Sequence, residues 1–308
     1  MGNKAVRSVR TAESKELVKM IENLGQRHSC WQVFSDFVTM MAVSISNAVD
    51  PTHREKREEI YKEAAGRYSA AELEQFPVMF AALVDQAEAA MQREGPRDIL
   101  GELFHALELH NKYKGQFFTP QSIADAMAQI SITPNHVELA EKGHITMCEP
   151  TCGSGVMVLA AARVMLKAGL NPSQQVVVLA SDLDFKCTCM AYVQLSLYGI
   201  PAVVEHANTL TCEVYSRWYT PAYIWGGWVF REHMGITSTD GLEDDERLKI
   251  AQNPLYAAFR MLGKVSAAPD AEESPCVPQA VPEAQTVPEE HTIQLFMDHK
   301  NGQMSLFA

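Results

Sequence analysis

The chain lacks any apolar run near the roughly 18 residues that span a bilayer, so no membrane segment is expected in its 308 residues. Its first residues, MGNKAVRSVRTAESKELVK, have no apolar core, which argues against a secretory signal there. Val6 stands where N-myristoylation wants Ser or Thr. A cytoplasmic location is the expectation. Cysteine pairs at zinc spacing are also missing: the seven cysteines form no CxxC, Cys187 and Cys189 are one residue apart, and Cys148 and Cys152 fall in a strand and a turn. Scattered thiols of this kind fit a reducing compartment and no metal site. Positive charge is scarce, with a net charge of −12, whereas an autonomous nucleic-acid binder shows a basic face. A local patch of Lys4, Arg7, Arg10, Lys15 and Lys19 exists, but it reads more simply as a solvated N-terminus. No GxGxxG fingerprint is found, which weighs against a dinucleotide, and there is no internal repeat.

What is present divides into three parts. Residues 1–112 read as a helical domain: Trp31, Val33, Phe34, Phe37, Val38, Met41 and Val43 recur near a 3.6-residue period. Ser69, with Glu72 three residues on, resembles a capping box. Val78, Met79, Phe80, Leu83 and Val84 form a second stripe, and Ile99, Leu100, Leu103, Phe104, Leu107 and Leu109 a third. Residues 113–263 alternate strand, turn and helix. HITMCEP (144–150), VVVLASD (176–182) and the start of PAVVEHANTL (201–210) read as strands, with helices over 156–170 and 187–199 between them. Such β-α-β-α-β succession implies an α/β fold with a parallel, doubly wound sheet. Residues 264–308 open on a Pro-, Glu- and Ala-rich stretch read as a disordered linker. From Lys264 onward there are seven acids and two lysines.

The first strand-to-helix turn carries the chemistry. Glu149-Pro150-Thr151-Cys152-Gly153-Ser154-Gly155 follows a strand and opens a helix. Glycines there allow positive φ and close backbone approach, and the helix start offers unpaired N–H groups. Asp182 ends the next strand, a position suited to ribose hydroxyls. Ligands of open α/β sheets bind beyond the carboxyl ends of the strands, so a nucleoside-bearing cofactor fits this pattern. A tight turn without a ligand is the bland alternative.

These residues resemble the first motif of S-adenosylmethionine-dependent DNA adenine-N6 methyltransferases, of the type I modification-subunit kind. Upstream, Lys114-Gly115-Gln116-Phe117-Phe118-Thr119-Pro120 is similar to the family's G-x-[FY]-[FY]-T-P segment, which packs on the methionine end of the cofactor. SDLDFKCTCMAYVQLSLYG resembles the second motif, with Asp182 as ribose acid and Asp184 beside it. Ala207-Asn208-Thr209-Leu210 resembles the third, with Asn208 where an Asp usually accepts from the adenine amine; an amide oxygen still accepts. The resemblance implies a Rossmann-like methyltransferase sheet, S-adenosyl-L-methionine as cofactor, DNA as substrate and a specificity subunit as partner. It normally implies seven strands, but only about 50 residues lie between Leu210 and the linker, too few for four more strands with their helices. A shortened sheet is therefore expected. The family's catalytic [DNS]-P-P-[YFW] has no full match. The nearest segment in the right region is Thr220-Pro221-Ala222-Tyr223, so the resemblance assigns Thr220 and Pro221 to the target amine and Tyr223 to stacking on a flipped adenine. A plain turn in an aromatic-rich segment is the other reading of these residues.

Near the C-terminus, Gln303-Met304-Ser305-Leu306-Phe307 resembles the Q-L-[SD]-L-F peptide with which bacterial proteins bind the sliding clamp. Gln303 would supply hydrogen bonds, and Leu306 and Phe307 would fill the pocket. Three functions are compatible with the whole: an active adenine-N6 DNA methyltransferase, a cofactor-binding but silent relative acting as an interaction or regulatory protein, and a methyltransferase acting on RNA or protein.

Overall fold

The computed structural model describes residues 12–107, 109, 118–132 and 137–230. Two compact units divide the chain, Met1–Gly226 and Gly227–Ala308. The helices and strands from Ala12 to Trp225 all belong to the first; of the second, only residues 227–230 are described.

The helical part runs α1 (Ala12–His28), α2 (Cys30–Val49), a 3-10 turn (Pro51–His53), α3 (Arg54–Ala65), α4 (Ala70–Leu73), α5 (Gln75–Arg93) and α6 (Ile99–Ala106). Helix α2 begins where the Ser29 hydroxyl accepts from the Gln32 N–H, a side-chain cap for an otherwise orphaned donor. Val33, Phe34, Phe37, Val38, Met41 and Val43 of the expected stripe are buried, whereas Trp31 is 47% exposed. Val78 likewise faces outward while Met79 and Leu83 fill the core. At α4 the Glu72 carboxylate reaches back to the Ser69 amide at 2.9 Å and its hydroxyl at 2.8 Å, as the capping-box spacing predicts.

The sheet part continues α7 (Gln121–Ser131), α8 (Val137–Lys142), β1 (Ile145–Glu149), α9 (Val156–Lys167), α10 (Pro172–Gln175), β2 (Val176–Asp182), α11 (Phe185–Leu197), β3 (Ala202–Asn208), β4 (Glu213–Tyr219) and α12 (Pro221–Trp225). Strand order is β1-β2-β3-β4. The first two pairs are parallel, with Ile145 opposite Val176 and Val178 opposite Ala202, as the β-α-β-α-β alternation implies. Helix α11 is buried over almost its whole length, because one side meets β2 and β3 and the other meets α2. An apolar helix with little amphipathicity is what such a sandwiched position selects.

The fourth strand departs from a parallel continuation. β4 pairs antiparallel with β3, Val203 opposite Tyr219 and Asn208 opposite Glu213, with a bulge at His206/Ala207. A four-residue turn, with Cys212 at φ 56°, closes the hairpin, so the chain returns to the edge of the sheet where β3 began. The fold is therefore a mixed α/β, Rossmann-like sheet, four-stranded among the described residues, preceded by helices. No helix among these residues is long and apolar enough to cross a membrane.

Candidate functional site

Three parallel strands bring Glu149, Asp182 and Asn208 to one edge as the last residues of β1, β2 and β3. The turn between β1 and α9 is held against that edge by its backbone. Cys152 N–H donates to the Ser181 carbonyl at 2.8 Å, and Gly153 N–H donates to Asp182 Oδ2 at 2.8 Å. The other carboxylate oxygen of Asp182 accepts from Asp184 N–H at 2.9 Å. Asp184 in turn caps α11 by accepting from Lys186 N–H. Asp182 is thus a bracket between the turn and the helix start.

Gly153 takes φ 54°, a left-handed conformation natural to glycine. Space is also tight: a Cβ there would lie 3.0 Å from the Phe118 ring, which would have to give by a few tenths of an ångström. Phe118 therefore lies over the turn, and its ring meets Phe104 and His105 at 5.0 and 5.6 Å between centroids. Thr119 and Pro120 follow it into α7, Pro120 at the helix start. Within the turn Pro150 is half-buried, Thr151 exposed, and Cys152, Ser154 and Gly155 buried. Gly155 opens α9, and the Pro150 carbonyl accepts from Thr209 Oγ1 at 2.6 Å. Gln116 and Phe117, expected beside Phe118, lie outside the described residues, as do Gln303, Leu306 and Phe307.

The electrostatics are those of a crowded acid pair. Burial, then the neighbouring Asp182 charge, push the Glu149 carboxyl above the ordinary value against one hydrogen bond from Thr151. Burial, then the Asp184 charge, push Asp182 up against the hydrogen bonds from Asp184 and Gly153. Burial drives the Cys152 thiol well above its ordinary value, so the turn carries a thiol and not a thiolate. Among the described residues no group of three or more His, Cys, Asp or Glu could hold a metal ion. The donors and acceptors fit a neutral polyol and a nucleoside better than a phosphate: Asp182 accepts, the turn is small, and Leu183, 61% exposed, stands beside the acid.

The Asn208 side-chain oxygen accepts from Leu210 N–H and Thr211 N–H at 3.1 and 3.4 Å, an Asx turn that shapes the hairpin. It is thereby engaged by its own turn. Thr220, Pro221 and Tyr223 are not brought to this edge at all. Because β4 is antiparallel, Thr220 sits beside Ala202, the first residue of β3: its N–H donates to the Ala202 carbonyl, its Oγ1 accepts from Ala202 N–H and donates to the Ile200 carbonyl. Six residue steps along β3 separate that end from Asn208, roughly 20 Å at the usual strand rise. Thr220 is fully buried and caps α12 through Tyr223 N–H, Pro221 is the first residue of that helix, and Tyr223 is 4% exposed, stacked on Tyr219 at 5.7 Å. The TPAY segment is a helix start in the core at the amino edge of the sheet.

Residues that sequence reading passed over complete the site. Asp98 and Gln194 contact the turn from behind, 56 and 40 positions from Ser154 along the chain. Their only local signal is an acid three residues before Gly101. Further on, Asn253-Pro254-Leu255-Tyr256 agrees with [DNS]-P-P-[YFW] at three of four positions, against two for TPAY; it lies outside the described residues.

Comparison with known proteins places the chain in a family. The model of the N-6 DNA Methylase family matches residues 97–256, more than half of the chain, and ends on that Tyr256. The chain belongs to the N-6 DNA methylase family of DNA methyltransferases. No curated protein matches it. Among solved structures, the methyltransferase subunit of a type I restriction-modification system from Streptococcus thermophilus is similar at 20% identity with a TM-score of 0.35, over 66% of this chain and 45% of that one. The chain thus matches less than half the length of that subunit.

Proposed function

We propose that the chain binds S-adenosylmethionine across the carboxyl edge of β1 and β2 and serves as the methyltransferase module of a DNA adenine-N6 modification system. One observation carries the reading: Asp182, Gly153 and Phe118, each from a different family-like motif, meet at a single point of the structure. Asp182 would take the ribose hydroxyls, Leu183 would face the adenine ring, and Phe118 with Thr119 and Pro120 would close over the methionine end. The bound cofactor supplies an activated methyl group on sulfonium, so the protein's task is to position the acceptor amine. The family pattern favours Asn253, Pro254 and Tyr256 for that task. DNA recognition would fall to a separate specificity subunit, and the C-terminal QMSLF would tether the complex to a sliding clamp.

A second reading, a cofactor-binding but silent relative, is favoured by the lack of any full [DNS]-P-P-[YFW] match in the sequence. Calorimetric titration with S-adenosylmethionine tests the shared premise, and saturable binding lost in Asp182→Ala is expected. Modified-base mapping in a host without adenine methylation, expressing the chain with and without a candidate specificity subunit, separates the two readings. Methyladenine that disappears in Tyr256→Ala and persists in Tyr223→Phe supports the enzyme. An unmodified genome in every combination, with cofactor binding intact, supports the silent relative.

A further inference from the structure

Behind the turn lies a polar knot shielded from solvent. Asp98 is 4% exposed and caps α6 by accepting from Gly101 N–H at 2.8 Å. The same oxygen accepts from Gln194 Nε2 at 2.9 Å, and the second oxygen accepts from Ser154 Oγ at 2.6 Å. Gln194 on α11 also donates to the Ser154 carbonyl at 2.8 Å and accepts from Leu100 N–H at 3.0 Å. On the other side, Asp98 N–H donates to Gln121 Oε1 at 3.1 Å. Gln121 is the first residue of α7, directly after Phe118-Thr119-Pro120, and it donates onward to Asp125, which also binds Arg163 of α9. One carboxylate is thus tied through single side chains to the glycine turn and to α11, while its backbone ties to the arm that carries Phe118. Gly101 is required for the knot, because a Cβ at that position would overlap the Asp98 carboxylate.

A buried carboxylate held by neutral donors is destabilised by its burial, so stability alone is a weak reason for it. Its geometry does something a hydrophobic residue could not. The turn and the Phe118 arm pack together where Phe118 lies over Gly153. They are separate in sequence, and Asp98 is a direct polar link that touches both.

We propose that Asp98 is a positioning residue of the cofactor site, which fixes the turn 151–155 and the arm at 118–121 in one register through Ser154, Gln194 and Gln121. This rests on the reading of the carboxyl edge of β1 and β2 as the S-adenosylmethionine site. Asp98 would touch no cofactor itself; it sets the spacing of the two segments that would.

The test is cofactor affinity set beside thermal stability in the full-length protein. Asp98→Asn is expected to weaken S-adenosylmethionine binding about tenfold when measured well below its melting temperature. Ser154→Ala, which removes one donor and leaves the carboxylate its other bonds, is expected to weaken binding severalfold with only a small fall in melting temperature. The double variant should bind about as Asp98→Asn does, because coupled residues are non-additive. Where Asp98→Asn fails to fold, Ser154→Ala paired with Gln121→Ala carries the same expectation. A lower melting temperature with unchanged affinity in these variants means the knot is merely structural and overturns the proposal. Full binding by wild type with strictly additive losses overturns it as well. Wild type that fails to bind S-adenosylmethionine removes the cofactor reading and the positioning role together, an outcome distinct from the other two.

Discussion

Asp182 concentrates the competing demands on single residues. Its carboxyl is raised above the ordinary value by burial and by the Asp184 charge. A group with a raised folded value contributes stability below its unfolded value and loses it as pH rises through the folded one. The ribose hydroxyls of the proposed cofactor, by contrast, would donate to the ionised form. Acidification should therefore stabilise the free protein through this residue while weakening S-adenosylmethionine binding, with a midpoint above 3.8, the ordinary Asp value. Calorimetric affinities over a pH series check this, and Asp182→Asn should flatten the dependence. A dependence that survives in Asp182→Asn would assign the titration to Glu149, the other raised carboxyl of the site. Gly153 gives a second expectation. Its positive φ and the Phe118 ring at 3.0 Å from a would-be Cβ act together. Gly153→Ala should lower stability by about 1–2 kcal/mol and displace Phe118, so affinity should fall along with the melting temperature. Unchanged affinity would separate Phe118 from the proposed cofactor site.

Among the elements, the hairpin is the one that changes the functional reading, and its anchor is measurable. Arg57 of α3 is buried, pairs with Asp50 at 2.7 Å, donates to the Arg217 carbonyl of β4 at 2.8 Å, and lies 4.5 Å from the centre of the Trp218 ring. Burial works to raise the Asp50 carboxyl, but hydrogen bonds from Arg57 and His53 hold it below the ordinary value. Arg57→Met leaves Asp50 buried without its main partner, so unfolding in denaturant should show a loss of about 3–5 kcal/mol. The double variant with Asp50→Asn should recover part of that loss; equal losses in both would mean that Arg57 acts by packing on Trp218 alone. The hairpin also shows where sequence reading stops. VVVLASD and the helices over 156–167 and 185–197 are legible because their signals are local: a β-branched run, an Ala-rich stripe, a closing Gly199. The direction of Glu213–Tyr219 is not, since its turn, Thr209–Cys212, contains no Gly or Pro to mark a reversal. Thr220-Pro221 is an ordinary cap followed by proline at the first helical position, a signal outweighed by its likeness to a catalytic tetrapeptide. The knot at Asp98 is illegible for another reason: its partners come from positions 121, 154 and 194, and no local pattern announces a contact over such separations.

At the scale of the molecule, charge limits what the chain does alone. DNA affinity rests largely on phosphates neutralised by Lys and Arg, and this chain carries 26 basic against 38 acidic residues. The stretch from Lys264 to the end holds seven of those acids and only two lysines, so −5 of the net −12 belongs to it and −7 to residues 1–263. Removing the stretch therefore leaves an acidic protein, and the deficit is not a property of the tail alone. Fluorescence anisotropy with a short DNA duplex at near-physiological salt should give a dissociation constant of about 10⁻⁵ M or weaker for the full chain, within the range of non-specific binding. A chain ending at Gly263 should bind at most severalfold tighter at low salt, and the difference should fade as salt rises, because exposed charges more than about 10 Å apart are screened near 0.1 M. Submicromolar binding by the full chain at that salt, with a steep salt dependence, would reveal a concentrated basic face and remove the need for a partner in holding DNA. Weak binding that becomes tight only when a specificity subunit is added would place the phosphate contacts on that partner and leave to this chain the cofactor and the flipped base.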